Sequence, residues 1–465
     1  MAKITIGTEL IMEICILYTN DTHSYLDDFA RRAHLIQKIR SEYKHTLLFD
    51  AGDSVSGSSY YNLYQGAKEA ELMSLLNYDA ITLGNHDFDQ GSPGVAHFLK
   101  HLSVPIISSN IDFTCDPLLP KLPEYMIKGD IGIFALTTLE TLDNASPSPE
   151  TVINNPIDAA KKIMNEFQVL GVKHTILLSH LGKPTDERLA ATIPGIDIIV
   201  GGHTHDVLYD PVKVNDTLIL QAGCHGKYLG QLVIDLETKK YINSIHLLDD
   251  TLPEAPEFIP LIKAIQQERD EYFSQIVATS ATTLDGDRQQ QKSGETNLGN
   301  LVLDAYFHKA QQLGFYPDAA ILNGLGIRTS LSAGPITKGD IMKITPYSKS
   351  LLILSCTGAQ LKEALIHGLY PHISQLTVTF RLKEDGTKEL LEASLKGKPL
   401  QDDGIYRVAT NDFCGMGKDG YHHGFENATI IAQNLALDVD LISEYLESLP
   451  QPFTYKTDAR LTYIK

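Results

Sequence analysis

The sequence predicts an α/β protein of two domains joined by a short helical connection, and three observations predict it. The chain has 465 residues, more than a single core usually serves at roughly 100–200 residues per domain. In the first half, short apolar runs alternate with stretches whose apolar residues recur every three or four positions, the pattern of strands alternating with amphipathic helices. Near residue 245 this pattern breaks at Asp249-Asp250-Thr251-Leu252-Pro253-Glu254-Ala255-Pro256, a polar stretch with two prolines, as in linkers.

Residues 14–18 read as the first strand. Leu26, Phe29, Ala33, Ile36 and Ile39 then form one apolar stripe on a helix. Further strands are expected at 46–49, 80–83, 105–108, 131–137, 175–179 and 196–200, with helices at 67–76, 93–100 and 157–170. These elements make a first domain of residues 1–245. A charged helical stretch at 259–273 falls in the connection, 246–275. The second domain, 276–465, is expected to be α/β, with a helix at 298–313, a strand at 319–322 and β-rich segments at 351–356, 375–382 and 405–410.

Composition narrows the function classes. Hydrophobic residues make up 43% and charged residues 21%, which excludes extensive disorder. A net charge of −19 repels a nucleic-acid backbone, and no Lys/Arg cluster offsets it, so no nucleic-acid partner is expected. A small anionic substrate stays open, because bound dications reverse the local potential. The five cysteines (Cys15, Cys115, Cys224, Cys356, Cys414) are odd in number and far apart, as suits a reducing compartment. No apolar run approaches the roughly 20 residues of a membrane span, and the run at 11–18 is broken by Glu13. A cytoplasmic protein without a membrane partner is expected, with the segment ahead of Met12 a dispensable extension.

Five motifs in the first half share one layout. Strand 14–18 runs into Asn20-Asp21-Thr22-His23, strand 46–49 into Asp50-Ala51-Gly52-Asp53, and strand 80–83 into Gly84-Asn85-His86-Asp87-Phe88-Asp89. Strand 175–179 ends at Ser179-His180, and strand 196–200 at Gly201-Gly202-His203-Thr204-His205. Alone, a D-x-H is a turn or a cap, and a single His at a strand end is a packed side chain. Together, each strand delivers His, Asp or Asn at its carboxyl end, where α/β sheets bind ligands. Carboxylates, imidazoles and an amide oxygen without a thiolate suit Mn²⁺, Zn²⁺, Co²⁺ or Fe²⁺. Glycines at 52, 84, 201 and 202 allow tight turns beside the ligands.

The set D-x-H, G-D, G-N-H-D, S-H and G-G-H-x-H resembles the calcineurin-like metallophosphoesterases, and its Asn-His-Asp-Phe-Asp form resembles the 5′-nucleotidase and UDP-sugar hydrolase family. The resemblance covers essentially the whole chain. It implies an N-terminal β-sandwich flanked by helices (αββα) and a C-terminal α/β substrate-binding domain. It implies two divalent ions, one held by Asp21, His23 and His205 and the other by Asn85, His180 and His203, with Asp53 bridging. His205 stands where some relatives carry Gln. A hydroxide generated between the ions would be the nucleophile. His86 and Asp89 would form a dyad beside the phosphoryl group, Asp89 orienting the imidazole and His86 stabilising charge or aiding the leaving oxygen. Asp87 is expected only to cap or to lie in solvent.

In the second half, Asn323-Gly324-Leu325-Gly326-Ile327-Arg328 and Asn411-Asp412-Phe413-Cys414-Gly415-Met416-Gly417-Lys418-Asp419-Gly420-Tyr421 each follow a strand. By spacing alone both are glycine-rich loops. The resemblance implies that Asn323 and Arg328 bind the nucleotide, that Tyr347 and Phe413 stack on its base, and that Asp419 accepts from a ribose hydroxyl. One position departs from the family: Gly294 stands where relatives place an arginine, and Lys292 or Arg288 is the available substitute. The implied activity is hydrolysis of nucleoside 5′-monophosphates. The alternative is a phosphodiesterase or pyrophosphatase acting on 2′,3′-cyclic nucleotides or UDP-sugars through the same centre.

Overall fold

The structure is a computed structural model that describes residues 13–346, 349–383 and 387–464. The chain divides into two compact units between Arg269 and Asp270, within the helix Ile259–Ser274.

Two large sheets form the body of the first unit, beside a two-stranded one of Ile111–Asp112 and Val152–Ile153. One runs Tyr241–Leu247, Tyr228–Asp235, Glu13–Thr19, Thr46–Asp50, Ala80–Ile81, and the other Val212–Val214, Thr217–Leu220, Ile198–Gly201, His174–His180, Ile131–Thr137, Tyr125–Lys128. The period-two alternation of strands decides which face each side chain takes. Ile14, Ile16 and Tyr18 share a buried cluster with Ile133, Ala135, Ile176, Leu178, Ile198 and Val200, so the sheets pack face to face. Cys15 and Leu17 point the other way, onto Phe29, Ala33 and Ile36 of the helix Phe29–Glu42. On the far side, Phe134, Leu136 and Leu177 pack on Ala160, Ile163 and Phe167 of the helix Pro156–Leu170. The order of layers is α, β, β, α. Burial on both faces is why these strands read as unbroken apolar runs rather than alternating ones.

Parallel pairing sets up the site. Glu13–Thr19, Thr46–Asp50 and Ala80–Ile81 run parallel in one sheet, as do Ile131–Thr137, His174–His180 and Ile198–Gly201 in the other. Parallel strands bring their carboxyl ends to one edge, and all five motif loops follow such ends. The helix expected at 157–170 starts at Pro156, where the Asn155 side chain accepts from Ile157 N and Asp158 N, and stops at Gly171 with φ 73°.

Two expectations need correction. Residues 105–108 are not a strand: Ile106 makes only an isolated bridge with Ile81, because Pro105 has no N–H to continue a ladder and Ser108 N turns to Pro123 O. The strand expected at 80–83 pairs only over Ala80–Ile81.

The second unit is built on a five-stranded sheet in the order Pro371–Ser374, Ala319–Asn323, Ile405–Asn411, Leu351–Thr357, Thr429–Ala432. The helices Asn297–Gln312 and Asp438–Ser448 pack on one face through Leu301, Ala305, Leu441 and Ile442. The helix Gly358–His367 covers the other through Leu361, Ala364 and Leu365. Asn323 and Asn411 end the two parallel central strands, and each begins one of the glycine-rich loops.

Candidate active site

The loops at the sandwich edge turn sharply. Asp21 (φ 49°), His23 (49°), Asp53 (52°), His203 (74°) and His205 (59°) all lie in the left-handed region, which costs non-glycine residues energy and concentrates at functional sites. Close backbone approach completes the turns: a Cβ on Gly84 would fall 2.2 Å from Asp53 Oδ1, and one on Gly52 2.6 Å from Gly84 N.

Seven side chains converge there. His23 Nε2 lies 3.3 Å from His205 Nε2, which lies 3.2 Å from Asp21 Oδ1. Asp53 Oδ2 is 3.7 Å from His23 Nε2 and 3.1 Å from His180 Nε2. Asn85 Oδ1 is 3.2 Å from His180 Nε2 and 2.9 Å from His203 Nδ1. Asp21, Asp53, Asn85 and His180 are buried. The ligand atoms of Asp21, His23 and His205, and those of Asp21, Asp53 and His180, lie within 4.8 Å of one another.

The hydrogen bonding behind these side chains shows that they fit a metal. His180 Nδ1 lies 2.8 Å from the carbonyl of Ala51, to which only an N–H can bond, so Nε2 of a neutral ring turns a lone pair toward a carboxylate and an amide oxygen. Lone pairs facing lone pairs need a proton or a cation between them. Burial disfavours protonating His180, yet Asp53 and Asp21 outweigh it and push its pKa up to about 10. A dication at the same place satisfies every acceptor at once. His203 has Asn85 on one ring nitrogen and Glu140 Oε2 at 3.0 Å on the other, the arrangement that orients a metal-binding imidazole.

His86 stands at the rim, its ring 5.3 Å from that of His23, with Nδ1 3.0 Å from Asp89 Oδ2. Burial lowers its basicity, but the hydrogen bond and charge of Asp89 and the charge of Asp53 raise its pKa to about 9. Asp89 also accepts from Ser56 Oγ. Asp87 does not lie in solvent: it is buried and accepts the backbone N–H groups of Asp53 (3.0 Å), Val55 (3.1 Å) and Gly84 (2.7 Å).

In the second unit a cavity of about 380 Å³ is lined by Asn323, Arg328, Phe413 and Asp419. Asn323 Nδ2 donates to Asp419 Oδ2 at 2.7 Å, which ties the two loops together, and Lys349 Nζ lies 5.2 Å from the centre of the Phe413 ring. Tyr347 lies outside the described residues. Arg288 lines the cavity, whereas Lys292 Nζ sits 5.8 Å from the Tyr370 ring centre. At Gly294 an added Cβ would meet only Tyr463, at 4.0 Å.

Residues 15–207 match the family model of calcineurin-like phosphoesterases, and residues 276–426 match that of the 5′-nucleotidase C-terminal domain. The chain belongs to the 5′-nucleotidase family of calcineurin-like phosphoesterases. It is 30% identical to the trifunctional nucleotide phosphoesterase protein YfkN of Bacillus subtilis over 97% of this chain and 35% of that protein, so it spans about a third of that relative's length. It is 28% identical to human 5′-nucleotidase over 94% of this chain and 88% of that one. The crystal structure of a 5′-nucleotidase precursor from Thermus thermophilus superimposes with a TM-score of 0.65 at 28% identity, covering 97% of this chain and 99% of that chain. As a calcineurin-like phosphoesterase of the 5′-nucleotidase family, the chain is a metal-dependent phosphoric ester hydrolase.

Sequence reasoning missed the supporting residues of this family member. Glu140 follows the strand Ile131–Thr137 without a motif around it. Gln221 donates from Nε2 to Gly202 O at 2.6 Å and accepts from Thr204 Oγ1 at 3.1 Å, fixing the His203–His205 turn, yet reads as an ordinary polar residue after an apolar run. His225, whose ring lies 5.7 Å from His23 and 5.9 Å from His205, belongs to no motif either. Only Asp87 carried a signal, its place inside Asn85-His86-Asp87.

Proposed function

We propose that this chain hydrolyses nucleoside 5′-monophosphates to nucleoside and phosphate, with two divalent ions in the first unit and the nucleoside held by the cavity of the second. Asp21, His23 and His205 would hold one ion, Asn85, His180 and His203 the other, and Asp53 both. The observation that carries this reading is the convergence of seven candidate ligand groups, with the outer hydrogen bond of His180 turning its free lone pair toward Asp53 and Asn85. Bound ions of the Mn, Zn, Co or Fe type supply an activated water and a clamp on phosphoryl oxygens.

The protein's own groups do the rest. Asp89 engages His86 Nδ1, so His86 Nε2 is the atom that carries a proton toward the departing oxygen or stabilises its charge. Phe413 offers an aromatic face to the base, and Asp419, oriented by Asn323, offers an acceptor to the ribose. The five cysteines are all free, which supports a reducing, cytoplasmic setting, and among the described residues no helix is long and apolar enough to cross a membrane.

The test is a metal-supplemented screen of the purified protein against nucleoside mono-, di- and triphosphates, 2′,3′-cyclic nucleotides and UDP-glucose, before and after chelation. Phosphate release from monophosphates that chelation abolishes and Mn²⁺ or Co²⁺ restores is expected. Full activity after exhaustive chelation overturns the metal assignment. Preference for the diesters moves the chain to the second reading, which the similarity to a trifunctional nucleotide phosphoesterase makes worth testing.

A further inference from the structure

The cavity of the second unit extends beyond the residues already given a role. Tyr306, on the helix Asn297–Gln312, and Asp438, the first residue of the helix Asp438–Ser448, also line it. They are 1% and 3% exposed. Among the described residues no hydrogen bond engages the Tyr306 hydroxyl, which leaves a donor uncommitted on a residue of the cavity wall. The Thr345 hydroxyl, in the same wall, is buried without a partner, and buried hydroxyls are nearly always paired. One oxygen of Asp438 accepts Val439 N at 3.1 Å. The remaining walls are largely apolar (Val302, Leu322, Leu325, Leu369). An apolar slot with a few converging polar groups is the form of a small-molecule site.

The chemistry of those groups is defined by their neighbours. Burial, then the charges of Asp438 and Asp412, raise the Tyr306 pKa well above its ordinary value, so the phenol keeps its proton and donates. Burial and Asp412 push the Asp438 pKa up to about 8, with Lys349 opposing. In either protonation state the Asp438 carboxyl retains an oxygen able to accept.

We propose that Tyr306 and Asp438 read the heteroatom edge of the base: the Tyr306 hydroxyl donates to a ring nitrogen or carbonyl oxygen, and Asp438 accepts the adjacent N–H. This rests on the nucleotide reading above and adds to it, since stacking on Phe413 tolerates any base while a fixed donor and acceptor do not. The ligand class is a nucleoside whose base sets an acceptor beside an N–H, and an abasic sugar phosphate lacks the contact altogether.

The test is calorimetric binding of adenosine, guanosine, cytidine, uridine and ribose 5-phosphate to the metal-loaded full chain and to Tyr306→Phe and Asp438→Asn. Tyr306→Phe, which removes one oxygen and keeps the ring, is expected to weaken the tightest nucleoside roughly 3–10-fold, the range for one neutral hydrogen bond, and to leave ribose 5-phosphate affinity in place. A structural defect would weaken both ligands together. Asp438→Asn is expected to reorder the nucleosides. Unchanged nucleoside affinity in Tyr306→Phe, or equal losses for nucleoside and ribose 5-phosphate, overturns the edge-reading role alone. Absence of nucleoside binding to the unsubstituted chain overturns the nucleotide reading with it.

Discussion

The carboxylate of Asp87 accepts the backbone N–H of Asp53 at 3.0 Å, so one acidic residue holds the loop of another in place beside the cluster of His, Asp and Asn side chains. The same carboxylate takes Val55 N and Gly84 N, and thus joins the loop after Thr46–Asp50 to the loop after Ala80–Ile81. In Asp87→Ala three buried donors lose their partner, each a cost of about 1–3 kcal/mol if left unpaired. Metal affinity is expected to fall by about 10–100-fold, as for other residues that orient ligands, with turnover recovering at saturating metal. Metal titration followed by the appearance of activity checks this, and unchanged affinity would contradict it.

For His86→Ala the expectation is the reverse pattern. Its backbone N–H still donates to Asp53 Oδ1, so metal content should stay as it is, while kcat falls by about 10²–10⁴-fold, the usual range for a positioned acid or base. Metal analysis and steady-state kinetics on the same preparation decide it.

Phe413→Ala should weaken nucleotide binding by about 1–3 kcal/mol, the worth of one base on an aromatic ring, and raise KM for nucleotides. For a small aryl phosphate, which has no base to stack, KM should move far less. Equal increases for both substrates would remove Phe413 from base recognition.

Gly294→Arg is expected to lower KM for nucleotides by about 3–10-fold through a charge-assisted contact to the phosphate. The backbone there is extended, at φ 160° and ψ −155°, and the space around it is open, so the side chain enters without strain. A KM that stays put would show that Arg288 already fills the role.

His372 gives a pH test independent of catalysis. It is fully enclosed, its Nε2 has no hydrogen-bond partner, and Gly299 and Gly324 are packed so tightly on the ring that a Cβ at either would approach within 2.8 Å. Burial, and then the charge of Arg460, lower its pKa to about 4. The folded state therefore favours the neutral ring. That stability is present above the unfolded value near 6.5 and is lost as the pH falls toward 4, on the order of 3 kcal/mol in all. Thermal melts from pH 7.5 to 4.5 should show a downward step in the native protein that His372→Gln flattens.

The layers and the converging His, Asp and Asn side chains are legible in the sequence because both depend on local patterns. Runs such as Ile131–Thr137, buried on both faces, announce themselves as strands, and the turns after them carry chemistry at fixed spacing. Supporting residues were not legible, because their roles arise from long-range pairing: Glu140 meets His203 across 63 positions, and Tyr18 reaches Asn243 across 225. Strand Tyr228–Asp235 went unread although it pairs along nearly all of Glu13–Thr19, since Gly230 and Gln231 dilute its apolar character. Its glycine is required there: a Cβ at Gly230 would collide with the Tyr18 ring at 2.1 Å.

Asp21, Asp53 and Asn85 come from one sheet of the sandwich and His180, His203 and His205 from the other. An ion coordinated by both groups would rivet the two layers at their shared edge. Sliding one sheet past the other by a single ångström would break coordination, so such an ion would couple its own loss to opening of the sandwich. By mass action, the resistance of the first unit to unfolding would then rise with the free concentration of such an ion, and its supply would govern how long the protein lasts as well as how fast it works.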